Sequence, residues 1–331
     1  MKLTFDQIRA AARGCAFTEE KDGALWLYRF TREQMEFYRH RDADFFRKAH
    51  ATSGVVVEFD TDSPTLFLAV TVSTGSSRRF VAHSIFVNGV LLAHFGDTIP
   101  AECPAHDLEG SYDLGEGTKR VKILFPWASA SRIRELRLAS GSSFLPVKKD
   151  FTLILYGDSI TQGYDALYPE NSYAAIVTSC LDANGINKAI GGEMFCPELA
   201  ALPDDQAPDL ITVAYGTNDW SHESWEFFRD NSRGFYHALR KSYPDTPIIV
   251  LSPIWRADTQ REIQQYPFRD LAKHLATVAE EIGNAFFLDC FDYVPHDPNL
   301  FSDLYLHPND EGFRYYGEAL CAAIRKIFPA K

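Results

Sequence analysis

Ser159 lies in the run Tyr156-Gly157-Asp158-Ser159-Ile160-Thr161-Gln162-Gly163, directly behind the apolar stretch Phe151-Thr152-Leu153-Ile154-Leu155. That stretch has the length and composition of a buried strand, and Gly-Asp-Ser ends it with turn chemistry. A serine at the carboxyl end of a strand in an α/β sheet sits where such sheets hold their ligands. Its hydroxyl becomes a nucleophile only beside a base, a group that orients the base, and donors for the oxyanion. Three further blocks stand at comparable boundaries. They are Asn187-Lys188-Ala189-Ile190-Gly191-Gly192-Glu193, Tyr215-Gly216-Thr217-Asn218-Asp219, and Ser302-Asp303-Leu304-Tyr305-Leu306-His307-Pro308-Asn309-Asp310. Each has a plain explanation by itself: a turn, a tight loop, a helix cap, a surface histidine. Their co-occurrence in this order, each at the edge of an element, makes a hydrolytic serine the reading to test.

The elements that must position these blocks follow from the rest of the chain. At 331 residues two domains are expected, and 46% apolar with 14% aromatic residues supply ample core. Residues 1–149 carry 20 Lys and Arg against 18 Asp and Glu, whereas residues 150–331 carry 13 against 27. An acidic half that also holds Ser159 argues against a nucleic acid partner, because phosphates need a basic track. No stretch approaches the roughly 18 apolar residues of a membrane span. The start, Met-Lys-Leu-Thr-Phe-Asp-Gln-Ile-Arg, has no apolar h-region, so no signal peptide is expected. Six cysteines (Cys15, Cys103, Cys180, Cys196, Cys290, Cys321) are scattered without a CxxC pair. Free thiols in a reducing compartment, the cytoplasm, are the expectation. A homo-oligomer is left open.

The two halves differ in periodicity. After a short helix expected at Phe5–Ala12, strand signals dominate residues 1–149: Gly54–Phe59, Thr65–Val72, Lys119–Phe125 and Arg132–Leu138. Ser84–Val87 and Val90–Leu92 flank Asn88-Gly89, a type I′ hairpin signal. Short strands with turns between them predict a β-sandwich, with an exit linker over residues 141–149. Residues 150–331 alternate strand and helix. Strands are expected at Phe151–Tyr156, Asp209–Tyr215, Pro247–Leu251 and Ala285–Leu288, and helices at Tyr173–Ala183, Glu223–Ser242, Gln260–Ile282 and Glu311–Ile327. That pattern predicts an α/β fold with a parallel sheet between helices.

The blocks of the second half resemble the SGNH hydrolases, also called the GDSL esterase/lipase family. Tyr156–Gly163 resembles their first block, Gly216-Thr-Asn-Asp219 their third, and His307-Pro-Asn309 their last. The resemblance covers residues 150–330 and implies a flavodoxin-like α/β/α sandwich that hydrolyses esters or related acyl bonds without a metal. It further implies that Ser159 attacks the acyl carbonyl and that His307 moves the proton. The oxyanion would then meet the N–H groups of Ser159 and Gly192 and the Asn218 amide. The chain departs from the family at the carboxylate. The family places Asp three residues before the His, whereas here position 304 is Leu and Asp303 lies four before His307. A bulge or a turn of helix would still bring Asp303 to the ring. Equally, a backbone carbonyl would orient it and leave a Ser-His dyad, with Asp292 a weaker substitute. Asp158 reads as structural, fixing the turn through local backbone N–H groups.

Aromatic residues follow the strand ends. Trp220, Trp255 and Tyr164 are expected to wall a substrate site, since flat aromatic faces suit sugar rings and short acyl groups. Core packing is the plain alternative for each. No H-E-x-x-H and no spaced histidine pairs are present, so neither metal nor cofactor is expected. A β-sandwich ahead of such a domain is similar to carbohydrate esterase family 2, where a jelly-roll precedes the catalytic domain. That similarity implies deacetylation of O-acetylated oligosaccharides, with the first domain lending side chains to the rim or serving as scaffold. The alternatives kept beside it are an acyltransferase, a lipase or thioesterase using the same residues, and a sugar-binding protein with a vestigial site.

Overall fold

The computed structural model describes residues 1–99, 105–205, 207–261 and 266–329. The chain divides into two compact units: Met1–Asp150 with Tyr168–Glu170, and Phe151–Leu167 with Asn171–Lys331.

The first unit holds two antiparallel sheets around one core. One sheet runs Ala12–Arg13, Val56–Thr61, Lys119–Leu124, Phe80–Val87, Val90–Thr98; the other runs Phe17–Lys21, Ala24–Tyr28, Ser129–Leu138, Thr65–Thr74, His106–Asp113. Side chains alternate faces along a strand. Leu66, Leu68, Val70 and Val72 of one sheet therefore enter the same core as Val57, Phe59, Val121 and Ile123 of the other. The Asn88-Gly89 turn forms as expected, with φ of 50° and 79° and Val87 paired to Val90. The expected linker contains a short strand, Leu145–Pro146, paired to Asp60 and Phe59. Two helices were not expected, Arg32–Arg41 and Ala43–Ala49. The first carries a capping box between Thr31 and Gln34, a pattern legible in the sequence.

The second unit is a five-stranded parallel sheet. Its strands are β1 (Thr152–Gly157), β2 (Asn184–Asn187), β3 (Leu210–Ala214), β4 (Ile248–Leu251) and β5 (Ala285–Leu288), in the order β2-β1-β3-β4-β5. This is the flavodoxin-like order, with its switch point at the carboxyl ends of β1 and β3. The helices are α1 (Ser159–Gln162), α2 (Tyr173–Cys180), α3 (Pro197–Ala200), α4 (Thr217–His222), α5 (Trp225–Ser242), α6 (Asp270–Ile282) and α7 (Asp310–Ile327). Right-handed crossovers running in opposite directions from β1 and from β3 put their helices on opposite faces. Accordingly α2 packs with α7, and α5 packs with α6. Leu153, Ile154, Leu155 and Tyr156 are all buried, which explains the unbroken apolar run of a strand covered on both faces.

Two expectations need correction. The helix read as Gln260–Ile282 begins at Asp270, since Pro267 cannot donate within a helix; residues 262–265 of that reading lie outside the described residues. Strand β2 was not expected, because its four residues Asn-Gly-Ile-Asn carry no apolar run. It pairs on one side only.

Candidate active site

Ser159 is the first residue of α1, immediately beyond β1. Asp158 caps this helix, its Oδ1 accepting from the Ile160 N–H at 2.9 Å. Burial pushes the Asp158 carboxyl up to about 6, and its position under the turn fits the structural role read from the sequence. Glycine at 157 is required by close approach, since a Cβ there would lie 2.0 Å from Thr161 Oγ1.

His307 closes a loop on the other side of the serine. The Ser302 N–H donates to the His307 carbonyl at 2.8 Å, and Phe301 and Pro308 form an antiparallel bridge. Inside that loop Leu304 takes φ 65°, a left-handed conformation costly for a leucine. The turn folds Asp303 back beneath the ring. The N–H groups of Tyr305, Leu306 and His307 donate to Asp303 Oδ1 at 3.1, 2.7 and 3.0 Å. Its Oδ2 lies 2.7 Å from His307 Nδ1, and His307 Nε2 lies 2.9 Å from Ser159 Oγ. Burial pushes the Asp303 carboxyl up, yet the His307 hydrogen bond and the three backbone donors outweigh it and hold the group well below the usual carboxylate range. An ionised carboxylate only accepts, so Nδ1 carries the ring proton and Nε2 offers its lone pair to the Ser159 hydroxyl. Asp292 pairs instead with His296 at 3.0 Å, its side chain 85% exposed.

The loop after β2 is tied to the same place. The Ile190 N–H donates to the Gly157 carbonyl at 3.2 Å, and the Gly191 N–H to Gln162 Oε1 at 2.7 Å. Gly192 follows with φ 89°, and no hydrogen bond among the described residues engages its N–H. Asn218, in the first turn of α4, donates its side-chain amide to the Glu193 carbonyl at 2.9 Å. One hydrogen of that amide is left for another acceptor. Thus Ser159, Gly192 and Asn218 are carried by three loops at the sheet's switch point, joined by hydrogen bonds.

The aromatic expectations divide. Trp220 is 1% exposed, with its indole N–H donating to the Tyr266 carbonyl at 3.1 Å and Arg256 over its ring. It is core, so the substrate-wall expectation is corrected: its polar edge and its face are both already used. Tyr164 is 4% exposed and stacks on His307, centroids 5.7 Å apart; it backs the imidazole and offers no open face. Trp255 remains half-buried, stacked on His296. Leu304 and Tyr305, in the same loop as His307, are exposed.

Three contributors carried no sequence signal strong enough to single them out. Arg256 is buried and donates to the Thr217 carbonyl and hydroxyl and to Ser221 Oγ, at 2.9–3.1 Å, while pairing with Asp258. It thereby steadies the turn that holds Asn218. Asp310 accepts from the Leu167 N–H at 2.8 Å and from the Asn171 amide at 2.9 Å, tying the segment after Ser159 to the start of α7. Asp165 Oδ2 lies 3.9 Å from His307 Nδ1. Asp165, Asp303 and His307 could offer three ligand atoms to a cation, although Nδ1 already points its hydrogen at Asp303. Arrayed this way, the serine, imidazole and carboxylate can move a proton off the hydroxyl as it attacks an acyl carbon.

The GDSL-like lipase/acylhydrolase family matches residues 155–315. No curated protein sequence matches the chain. Among solved structures the fold is similar to that of the salicylyl-acyltransferase SsfX3 from a tetracycline biosynthetic pathway, at 23% identity and TM-score 0.83, covering 97% of this chain and 96% of that one. It is similar to a putative GDSL-like lipase from Bacteroides ovatus, at 20% identity and TM-score 0.78, covering 100% and 98%. A family two carbohydrate esterase from Clostridium thermocellum shares the fold at 18% identity and TM-score 0.65, over 84% and 94%. Residues 155–315 belong to the GDSL-like lipase/acylhydrolase family, and the protein is an ester hydrolase of that type.

Proposed function

We propose that the protein is a serine esterase that removes small acyl groups, acetyl foremost, from O-acylated oligosaccharides. The continuous line Asp303–His307–Ser159, with links of 2.7 and 2.9 Å, carries the reading. Ser159 Oγ attacks the acyl carbon while its proton passes to His307 Nε2. The Ser159 and Gly192 N–H groups and the Asn218 amide receive the developing oxyanion. Collapse of that intermediate breaks the ester bond, and His307 returns the proton to the departing alkoxide. Water then attacks the acyl-enzyme while giving a proton to His307, and collapse breaks the bond from the acyl carbon to Ser159 Oγ as His307 returns that proton to Oγ, so the free acid leaves with serine and imidazole restored. Asp303 stays ionised throughout and holds the ring in the working tautomer.

Three features support a small, polar substrate. The unit is acidic, two of the three expected aromatic walls are buried, and a family two carbohydrate esterase shares the fold. Residues 1–149 serve in this reading as an accessory domain, and the scattered cysteines suit a reducing compartment. Among the described residues no helix is long and apolar enough to cross a membrane. Transfer to an alcohol in place of water is the second reading, favoured by the likeness to SsfX3 along nearly the whole of both chains.

Mass spectrometry of acetylated xylo- and manno-oligosaccharides incubated with the protein tests the proposal, with p-nitrophenyl esters of increasing chain length beside it. Loss of single acetyl groups by the wild type and not by Ser159→Ala is expected. A preference for long chains would overturn the acetyl reading, and product bearing the acyl group on an added alcohol would favour transfer.

A further inference from the structure

His307 meets two carboxylates, and the Ser-His-Asp reading uses one. Asp303 Oδ2 takes the hydrogen bond of Nδ1 at 2.7 Å, while Asp165 Oδ2 stands 3.9 Å from the same nitrogen. Both carboxylates are largely shielded, their side chains 22% and 14% exposed. Also acting on the ring are Ser159 at Nε2, the Tyr164 face, and the buried Asp158 carboxyl, which the His307 charge favours in its ionised form. Arg256 acts on Asp158 from farther out.

The backbone is built to hold Asp165 there. Asp165 takes φ 69° and Leu304 φ 65°, so each loop that brings a carboxylate to His307 contains a residue in the left-handed region. Non-glycine residues keep such conformations where the surroundings enforce them, commonly at functional sites. The Asp165 loop is closed by the Ala166 N–H on the Gly163 carbonyl at 3.1 Å. It is fastened to the His307 segment by the Leu167 N–H on Asp310 Oδ1 at 2.8 Å.

Resting on the Ser159–His307 reading, we propose that Asp165 is a positioning residue, a second carboxylate that stabilises the protonated His307 ring and sustains catalysis when Asp303 is removed. When Ser159 gives its proton to Nε2, the ring becomes a cation whose Nδ1–H faces Asp303 and whose charge is shared with Asp165. A negative charge within about 4–6 Å favours that cation. If Asp303 is made neutral, Asp165 is the carboxylate within reach of Nδ1. The four-residue spacing from Asp303 to His307 thus goes with a site holding an acid in reserve.

Asp165→Asn, Asp303→Asn and the double variant test this on p-nitrophenyl acetate over the pH range, with Ser159→Ala alongside. Asn keeps the shape and tolerates the left-handed region, so Asp165→Asn leaves the loop intact, as its Tm would report. The expected losses in kcat/KM are about 5-fold for Asp165→Asn, about 100-fold for Asp303→Asn, and about 10⁴-fold for both together, well beyond the product of the single losses. The acid limb of the Asp165→Asn profile moves to lower pH, because the ring gives up its proton more readily; a purely structural role would lower the plateau and leave the limb in place. Multiplicative losses with an unmoved limb would overturn the proposal. So would wild-type activity that falls with chelator and returns with added zinc or magnesium, since Asp165 and Asp303 would then be ligands. An active Ser159→Ala would instead sink the Ser-His reading itself, which separates the two failures.

Discussion

The two loops that meet at the Ser159–His307 hydrogen bond are built on opposite principles. The Ser159 turn is local. A strand buried on both faces ends at Gly157, Asp158 caps the next turn, and Gly163 closes it two backbone hydrogen bonds later, onto Ser159 and Ile160. Every part lies within the twelve residues from Thr152 to Gly163. The His307 loop is held by closure and by contacts from elsewhere: the Phe301–Pro308 bridge, Leu304 in the left-handed region, Ala257 donating to the Tyr305 carbonyl, and Asp310 gripping Leu167. The serine is placed by the turn that ends its own strand, whereas the histidine is placed by a loop that other segments close. The carboxylate can therefore slip a residue along the chain, provided the loop turns once more to return it.

The largest effects should come from the junction itself. Ser159→Ala and His307→Ala should each lower kcat/KM on p-nitrophenyl acetate by about 10⁴-fold or more. Substantial activity in either would dissolve the contrast, because the two loops would not be converging on one reaction. Next comes Asn218→Ala, expected to lower kcat about 10²–10³-fold with little change in KM. A loss confined to KM would move Asn218 from the oxyanion to ground-state binding. Asp292→Asn belongs at the other extreme. Its carboxylate is exposed and paired to His296, so steady-state rates should stay within about twofold of wild type; a loss matching that of Asp303→Asn would break the assignment of the carboxylate to the His307 loop.

Two smaller effects concern stability. Asp219, buried beside Asn218, accepts from the Phe195 N–H at 3.3 Å while its Oδ2 has no hydrogen-bond partner among the described residues. Burial pushes its carboxyl up to about 7 from 3.8. An acid raised on folding contributes stability below its ordinary value and loses it as the pH climbs through the raised one. The Tm of the wild type relative to Asp219→Asn should therefore fall between about pH 4 and pH 8; a constant difference would show that Asp219 is ionised throughout. The smallest effect sharpens the contrast between the loops. Leu304→Asn should stabilise by up to about 1 kcal/mol and Leu304→Val destabilise by a similar amount, since Asn accepts the left-handed region and a β-branched side chain does not. Equal responses in thermal unfolding would mean that the turn relaxes without cost.

How legible these features were depends on how local their causes are. Strands β1, β3 and β4 could be read because burial on both faces writes an apolar run, β5 because Ala-Phe-Phe-Leu is apolar even though half-buried, and α5 and α7 because burial on one face writes a stripe. Strand β2 was invisible because Asn-Gly-Ile-Asn carries no apolar run, and its pairing with β1 alone makes it a strand. Ser159, Gly192 and Asn218 were named from blocks of residues that fold where they stand. The aromatics were misread for the opposite reason: Trp220 and Tyr164 follow the strand ends in sequence, yet Arg256 and Tyr266 cover one, and the other backs His307. Sequence position says which end of the sheet a ring is near, not whether another segment lies over it.

By itself the sequence determined strands β1, β3, β4 and β5, helices α2, α5 and α7, the serine at the end of β1, and the histidine ahead of α7, because these rest on hydrophobic periodicity, capping and turn chemistry over a few residues. Which carboxylate meets the histidine was settled only in three dimensions. Asp303, Asp292 and Asp165 are chemically equal in one dimension. A single left-handed turn at Leu304 delivers Asp303 to Nδ1, exposure removes Asp292 to His296, and the grip of Asp310 on Leu167 draws Asp165 to within 3.9 Å of the ring. A hydrogen bond depends on tenths of an ångström, and those are set by the loops that close around it.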